Sequence, residues 1–322
     1  MKEFEIRRLI ENYYDIQKIR VETFNRIVCW AKENKERIKE ILSHTKTESH
    51  SLDASHCQFG TQFRDASHNS VETHLSNALK LLENKKYAEF VKRFVLSHNL
   101  VETQSENASH QVNEPQKSYA SQPMFGIQLS NAFSNLIKEV EDLIWFHNKL
   151  YETEKELYRR IDNWSKYHPL RKEFLNHVKG IGAIFSSGII AWLSKPILKA
   201  NYVSQIWSYC GLTPNQERKR GKKLNYNPRL KTFCWKIGQS FIKYKCFGRK
   251  LYDAFRKECE TKHPDWSKLH CHNWARRKVV KLFIASVWEV WRKMNNLPIT
   301  KPYPIEILGH KDLITPVRWI EK

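Results

Sequence analysis

The local pattern with the clearest chemistry in this chain is a tight turn, Gly180-Ile181-Gly182. Two glycines around one aliphatic residue let the backbone turn sharply and leave amide N–H groups uncovered by side chains. The apolar spacing predicts one helix over 170–178 and a second over 184–192. Because a helix carries its positive dipole end at its N-terminus, the second helix would favour an anion beside these amides. The pattern predicts a helix-hairpin-helix that grips a DNA phosphate, with Ile181 filling the joint; an ordinary connection between two helices is the alternative.

Basic residues follow this turn in high density. From Asn215 to Lys257 there are 14 Lys or Arg residues and two acidic residues. A charge run is commonly just a solvated face, but the near absence of compensating acids favours a phosphate partner. Besides the glycine turn, the residues predicted to contact phosphate are Lys179, Arg218, Lys219, Arg220, Lys222, Lys223, Arg229, Lys231, Arg276 and Arg277.

Four aromatic residues are interleaved with this charge: Trp207, Tyr209, Trp235 and Tyr244. Aromatic rings among basic residues can stack on unpaired bases. Large aromatic side chains also dominate protein cores. We expect most of the four to be core residues.

Five potential metal ligands cluster near the end of the basic region: Cys259, His263, His270, Cys271 and His272. Their spacing matches no common zinc finger, and three adjacent residues at 270–272 cannot all face one metal comfortably. We therefore expect no metal and no cofactor, and predict instead that His270 and His272 place the following helix near DNA. The sequence contains no glycine-rich phosphate loop, metalloprotease helix or nucleophile elbow, so no catalytic residue is assigned.

The composition limits both the partner and the fold. The chain has 322 residues with 55 Lys plus Arg against 34 Asp plus Glu, a formal charge of +21. An excess of this size favours a polyanion, most commonly nucleic acid, although an acidic membrane surface or protein tail would also satisfy it. Only 10 residues are glycine, and long aliphatic and aromatic residues are abundant, which predicts an all-α fold. Seven scattered cysteines indicate reduced thiols. No apolar run approaches the roughly 20 residues of a membrane span, and the first residues lack a signal-peptide core, so we expect a soluble cytoplasmic protein.

Five segments are predicted along the chain. Residues 1–42 have the spacing of one long amphipathic helix with room for a single break, and 129–165 have that of a long linker helix. The remaining segments are a low-complexity insertion at 43–128, a DNA-binding domain at 166–295 and an extended tail at 296–322. The two long helices predict an antiparallel hairpin or coiled coil with the insertion at its tip. Two separate helices packed on the C-terminal domain are the alternative.

The insertion 43–128 is a degenerate repeat in which His or Gln recurs every six residues. A β-helix needs an aliphatic residue at the inward position of each turn, and His or Gln stands there instead. A repeat this polar cannot bury enough surface to order itself, so we predict disorder with a short amphipathic helix at 79–95. A His-rich metal-binding tract is the alternative.

Beyond single motifs, the order of several short sequences resembles a known family. The run VKGIG at 178–182 precedes YCGLTP at 209–214, a basic loop containing Gly221, and RLK at 229–231. This order resembles the C-terminal domain of the 110/116/902 family of insertion-sequence transposases, over about 166–260. The resemblance implies DNA binding in transposition or recombination.

The chain departs from that family at two places that matter for catalysis. Members open with a nuclease-like domain whose Asp and Glu residues hold metal ions, and 1–165 lack the strand-borne acidic pattern of such a domain. The family's catalytic serine lies just before the glycine of the basic loop, where this chain has Arg220, and no serine occurs between Ser208 and Ser240. Covalent Ser–DNA chemistry therefore has no nucleophile here, and Tyr226 is expected to be a contact residue.

We therefore expect a DNA-binding, transposase-like protein without a complete catalytic site of its own. It would form homo-oligomers, and a separate nuclease subunit could complete the site. Whether it acts as an enzyme stays open. The alternatives are a non-enzymatic binder of structured RNA or branched DNA, and a coiled-coil adaptor that uses its charge for solubility.

Overall fold

The computed structural model describes residues 2–43, 76–95, 131–213, 220–221, 224–300 and 314–321. No β-strand occurs in these ranges, and the prediction of an all-α protein is confirmed for them. The chain divides into two compact units. Unit 1 comprises Met1–Tyr13 and Lys155–Lys322, and unit 2 comprises Tyr14–Glu154.

The first six helices run from unit 1 through unit 2 and back. They are α1 (Glu3–Glu33), α2 (35–43), α3 (76–83), α4 (Tyr87–Phe90, followed by a π turn at Val91–Val95), α5 (Asn131–Lys138) and α6 (Glu141–Ser165). The segment 1–42, predicted as one long helix with room for a single break, is broken once, at Asn34. The segment 129–165, predicted as one linker helix, is interrupted at 139–140.

Six further helices belong to unit 1 alone. They are α7 (Pro169–Glu173), α8 (Ala183–Lys199), α9 (Val203–Tyr209), α10 (Pro228–Lys243), α11 (Phe247–Lys262) and α12 (Lys268–Met294). Single 3-10 turns occur at Leu175–His177 and Pro316–Trp319. None of the helices that the structure describes is both long and apolar enough to cross a membrane.

Unit 2 is built on contacts between α1 and the α5–α6 segment that run in opposite chain directions. Early in this stretch of α1, Arg20 donates to the buried carboxylate of Glu154. Later, Trp30 donates to Glu139 at 3.2 Å. Residues later in α1 therefore contact residues earlier in the α5–α6 segment. The apolar core beneath these contacts consists of Ile27, Ala31, Ile38, Leu42, Ala78, Leu82, Phe90, Val91, Leu136, Ile137, Val140 and Ile144.

The short helix predicted at 79–95 is helical but broken, because a turn at 84–86 with Lys85 at φ 56° separates α3 from α4. Its apolar face joins the unit 2 core through Leu82 and Phe90, both fully buried. The six-residue repeats on either side, and with them the predictions of disorder and of metal binding, lie outside the described residues.

Unit 1 is organised around α8, whose sequence AIFSSGIIAWLSKPILK is apolar on nearly every side. A helix of that kind must be enclosed by other elements. Helices α9, α10 and α12 pack against it. Gly188 permits the closest approach, since a Cβ there would collide with the ring of Phe233 on α10. The last carbonyls of α8 are capped by the buried Arg292 of α12, whose guanidinium donates to the oxygens of Ile197 and Ala200.

The tail 296–322 is predicted to be extended, and in its described part at 314–321 a 3-10 turn places Trp319 in the core of unit 1. Trp319 is only 3% exposed. Its ring lies 5.2 Å from those of Phe241 and Phe283 and 5.3 Å from that of Phe247. Burial of this size makes the last described turn a part of the domain rather than a surface strap.

Candidate nucleic-acid interface

The glycine turn is approached by a shorter helix than the sequence predicts. Helix α7 ends at Glu173, and a 3-10 turn, Leu175–His177, follows it. Phe174 departs from helical geometry with φ −132° and ψ −61°. The predicted helix over 170–178 is therefore a helix plus a turn, although its apolar residues Leu170, Phe174 and Val178 are all buried.

The three residues of the turn differ in backbone conformation and in exposure. Gly180 has φ +97°, a conformation that side-chain-bearing residues rarely adopt. Ile181 is 6% exposed and its amide donates to the carbonyl of Val178 at 3.1 Å. Gly182 is the exposed N-cap of α8 with φ −89° and ψ −172°, and a Cβ there would meet nothing within 4 Å. The amides of the first turn of α8 need partners from outside the helix, so an anion can approach them at Gly182.

Helix α10 and the residue that follows it contact the turn at Gly180. The Ser240 hydroxyl donates to the Gly180 carbonyl at 2.6 Å. The ring of Tyr244, just after α10, lies 3.5 Å from the position of a Cβ on Gly180. Lys179 is exposed on the turn, and Lys243 and Lys245 are exposed on either side of Tyr244. These two lysines were counted within the basic run but not singled out by sequence reasoning. The sequence signal that could have identified them is their position on either side of an aromatic residue at the end of a helix.

The basic loop is described only in part. Arg220 and Gly221 are exposed, and Gly221 has φ +77°. The four other predicted contacts, Arg218, Lys219, Lys222 and Lys223, lie outside the described residues. Of the predicted phosphate contacts in this loop, Arg220 is therefore the one whose exposure is described.

Two predicted contacts at the start of α10 already have partners within unit 1. Arg229 pairs with Glu11 of α1, with 2.6 Å between guanidinium nitrogen and carboxylate oxygen, although 69% of the Arg229 side chain is exposed. The Lys231 ammonium lies 4.6 Å from the centre of the Tyr226 ring. Lys231 remains exposed, so both residues still face solvent.

The predicted pair on α12 is divided between core and surface. Arg277 is exposed. Arg276 is only 8% exposed, with its side chain packed against Gly238 of α10 and its guanidinium 4.7 Å from the centre of the Trp235 ring. Arg276 also donates to Asn273 at 2.7 Å. The prediction that Arg276 extends the positive surface therefore has to be revised, because this side chain lies beneath Trp235.

A polar chain extends from Arg276 towards α11. His272 is within hydrogen-bonding distance of the Tyr252 hydroxyl, at 2.6 Å, and Arg256 donates to the same hydroxyl at 3.1 Å. Burial lowers the pKa of His272, and the neighbouring Arg276 and Arg256 lower it further. The imidazole is therefore neutral at physiological pH, as its position between two guanidinium groups requires.

Of the four aromatic residues interleaved with the basic run, two are largely covered and two are exposed. Trp207 is buried, donating to the carbonyl of Lys281 at 2.9 Å, and Tyr209 is half-buried. Trp235 is 49% exposed and Tyr244 is 51% exposed. The expectation that most are core residues therefore fails for the two that lie on α10 and at its end.

The Cys and His cluster does not converge on one point. The thiols of Cys259 and Cys271 face each other in the core at 2.7 Å. His270 lies against Trp266, at 4.1 Å between ring centres, while His272 points to Tyr252. Burial raises the pKa of Cys259 to about 11, and the neighbouring thiol adds to the effect, so this sulfur is protonated at neutral pH. Among the described residues, no three His, Cys, Asp or Glu side chains are grouped so that they could hold a metal ion.

A comparison of the chain with protein-family models, with curated proteins and with solved structures finds no match.

Proposed function

We propose that unit 1 binds DNA by gripping the phosphate backbone at the glycine turn, in a protein that acts in DNA transposition or recombination. The observation that carries the proposal is the open N-terminus of α8 at Gly182. Backbone amides and a positive helix end are open there. Lys179 is exposed just before the turn, and the exposed Lys243 and Lys245 flank Tyr244, whose ring lies beside Gly180. We assign the segment from α7 to α8 as a helix-hairpin-helix, with Ile181 as the buried residue at its joint.

The electrostatics of unit 1 support this proposal. Helix α10 carries Arg229, Lys231, Lys236 and Lys243 and no acidic residue. The charge of the whole chain is +21. Each phosphate contacted by such residues releases a counterion, so affinity should fall steeply as salt rises.

The proposed role is binding rather than strand cleavage by this chain alone. Arg220 occupies the position before Gly221 at which the resembled transposases carry their serine. A guanidinium cannot serve as a nucleophile, so we propose that a separate nuclease subunit could supply the cleavage chemistry.

For unit 2, we propose that α1 and the α5–α6 segment form an antiparallel helical hairpin. The opposite running order of the Arg20–Glu154 and Trp30–Glu139 contacts supports it. The homo-oligomer expected from the sequence stays a separate prediction.

The test is fluorescence anisotropy of a labelled duplex of about 30 base pairs, titrated with the full chain between about 50 and 200 mM salt. The wild type is compared with Gly182→Glu and with the isosteric control Gly182→Gln. Because Gly182 has an ordinary φ and open space, both variants should fold. We expect the carboxylate to weaken binding about tenfold or more by repelling phosphate, and the amide to change it much less.

Three results would contradict the proposal. Equal binding by the two variants would remove the glycine turn from the interface. No binding of any nucleic acid at about 150 mM salt would favour the adaptor alternative. Tighter binding of a structured RNA than of duplex or four-way-junction DNA would favour the RNA-binding alternative.

A further inference from the structure

We propose that the outer face of α10 binds an unpaired DNA strand, with Trp235 as the platform on which a base stacks. The inference rests on the proposed function, since it names the form of DNA that unit 1 takes. It concerns a side chain that phosphate gripping does not use.

The outer face of α10 is aromatic and basic, and α10 itself carries no acidic residue, although Glu11 pairs with Arg229 in its first turn. Its exposed residues include Lys231, Thr232, Trp235 and Lys243, at the spacings of three, four and eight residues that share one side of a helix. Phosphate groups of a strand following this side would meet cations before and after Trp235. Proteins that bind single strands combine a basic track with aromatic rings in this way.

Trp235 is held in place although 49% of it is exposed. The guanidinium of the buried Arg276 lies 4.7 Å from its ring centre. Arg276 in turn donates to Asn273, and its own neighbour His272 pairs with the buried Tyr252. A large exposed aromatic ring with a fixed support loses little conformational freedom when a ligand stacks on it. Cation–π contact with Arg276 also explains why a tryptophan tolerates this exposure.

The platform and the glycine turn are on different sides of α10. The turn contacts Ser240 and Tyr244, and Tyr244 follows Trp235 by nine residues, which is about 13 Å along a helix axis and about two and a half turns around it. The platform is therefore a site separate from the phosphate grip at Gly182, and it takes a strand on its own side of the helix. In an intact duplex every base is already stacked and paired, so only unpaired bases can use the platform.

The experiment compares four labelled probes of equal length and about 20 nucleotides on the full chain. They are a mixed-sequence DNA strand, the same strand with abasic sites in place of its bases, the matching duplex, and the RNA of the same sequence. The abasic strand keeps its phosphates and lacks only the bases, so it tests stacking on the unmodified protein. The protein variants are Trp235→Leu, Trp235→Phe, and the control Trp145→Leu, which removes a 59% exposed tryptophan from unit 2.

We expect the abasic strand to bind the wild type about tenfold more weakly than the base-bearing strand, within the usual range for a stacked base. Trp235→Leu should lose about the same factor on the single strand and change duplex binding less than about twofold. Trp235→Phe should restore most of the loss, and Trp145→Leu should resemble the wild type.

Equal affinity for abasic and base-bearing strands would overturn the inference, and so would equal losses on strand and duplex in Trp235→Leu. Tighter binding of RNA than of DNA would overturn the assignment to a DNA strand. All of these results leave duplex binding measurable. Failure of the proposed function is recognised separately on the duplex, either as no duplex binding or as equal duplex binding by Gly182→Glu and Gly182→Gln.

Discussion

The hydroxyl of Ser240 donates a 2.6 Å hydrogen bond to the carbonyl oxygen of Gly180, the one residue of the glycine turn with a positive φ. Helix α10 thus fixes the orientation of the turn through a side chain that is itself 8% exposed. Ser240→Ala should cost about 1 kcal/mol of unfolding free energy, because the carbonyl loses its donor. It should also weaken duplex binding several-fold, since the turn becomes less well ordered. Urea unfolding and anisotropy measure the two effects.

Ser186 of α8 provides the matched control for that variant. It is fully buried and its hydroxyl has no hydrogen-bond partner among the described residues. Ser186→Ala should therefore leave stability unchanged or raise it slightly, and should not affect binding. If both alanine variants behaved alike, the Ser240–Gly180 bond would have no special role.

Glu11 holds one of the predicted phosphate contacts, Arg229, in an ion pair. Glu11→Gln should release the guanidinium and tighten duplex binding about two- to fivefold at low salt. Because the pair is largely exposed on the arginine side, stability should change by less than about 1 kcal/mol. Glu152→Gln, which removes the same charge from an exposed pair in unit 2, serves as control. An equal gain in both variants would mean that net charge alone is responsible.

Trp319 should be among the most sensitive positions of unit 1. Its ring packs against Phe241, Phe247 and Phe283, so Trp319→Ala should destabilise the unit by about 3–5 kcal/mol. The control Trp145→Ala removes an exposed tryptophan and should cost little. Guanidinium unfolding of both variants gives the comparison. A loss below about 1 kcal/mol for Trp319→Ala would show that the tail is not part of the core.

Mild acid should destabilise unit 1 through His272 and His168. Burial lowers the pKa of both below the usual 6.5, so the folded state favours their neutral forms. The unfolded chain takes up protons near pH 6.5, and the stability that the neutral imidazoles provide is lost as pH falls through the lowered pKa values. Glu289 acts in the opposite direction, because burial raises the pKa of its carboxyl.

The measurement is the urea midpoint at about pH 7.5 and about pH 5.5 for wild type and His272→Gln. The wild type should lose stability between the two, and the variant, which cannot be protonated there, should lose less. An equal loss in both would assign the pH dependence to other groups.

The helices of this protein follow from periodicity, whereas the details of the candidate site follow from contacts between helices. The spacing of apolar residues predicts the core side of α8, and Ile181 is buried as its place between two glycines predicts. Arg276 could not be assigned in this way. It is buried because Gly238, a residue on another helix, leaves room for its side chain.

The tail is a second case in which contacts between helices could not be predicted from periodicity. Proline residues and the absence of periodicity predict an extended segment, yet Trp319 fills a space between three phenylalanines from different helices. A single aromatic residue carries no period from which its burial could be inferred. Trp207 and Trp235 both lie in helices of unit 1, yet they are 7% and 49% exposed.

The division of unit 1 between Met1–Tyr13 and Lys155–Lys322 has a consequence for biosynthesis. Unit 2 is continuous in sequence, so its residues leave the ribosome together and can pack while the rest is still being translated. Unit 1 must wait for Trp319, and its first helical turns must stay available for more than 300 residues of synthesis. Until then, α10 lacks the aromatic residue that packs against its Phe241. A nascent chain of this protein is therefore most exposed to aggregation just before Trp319 emerges.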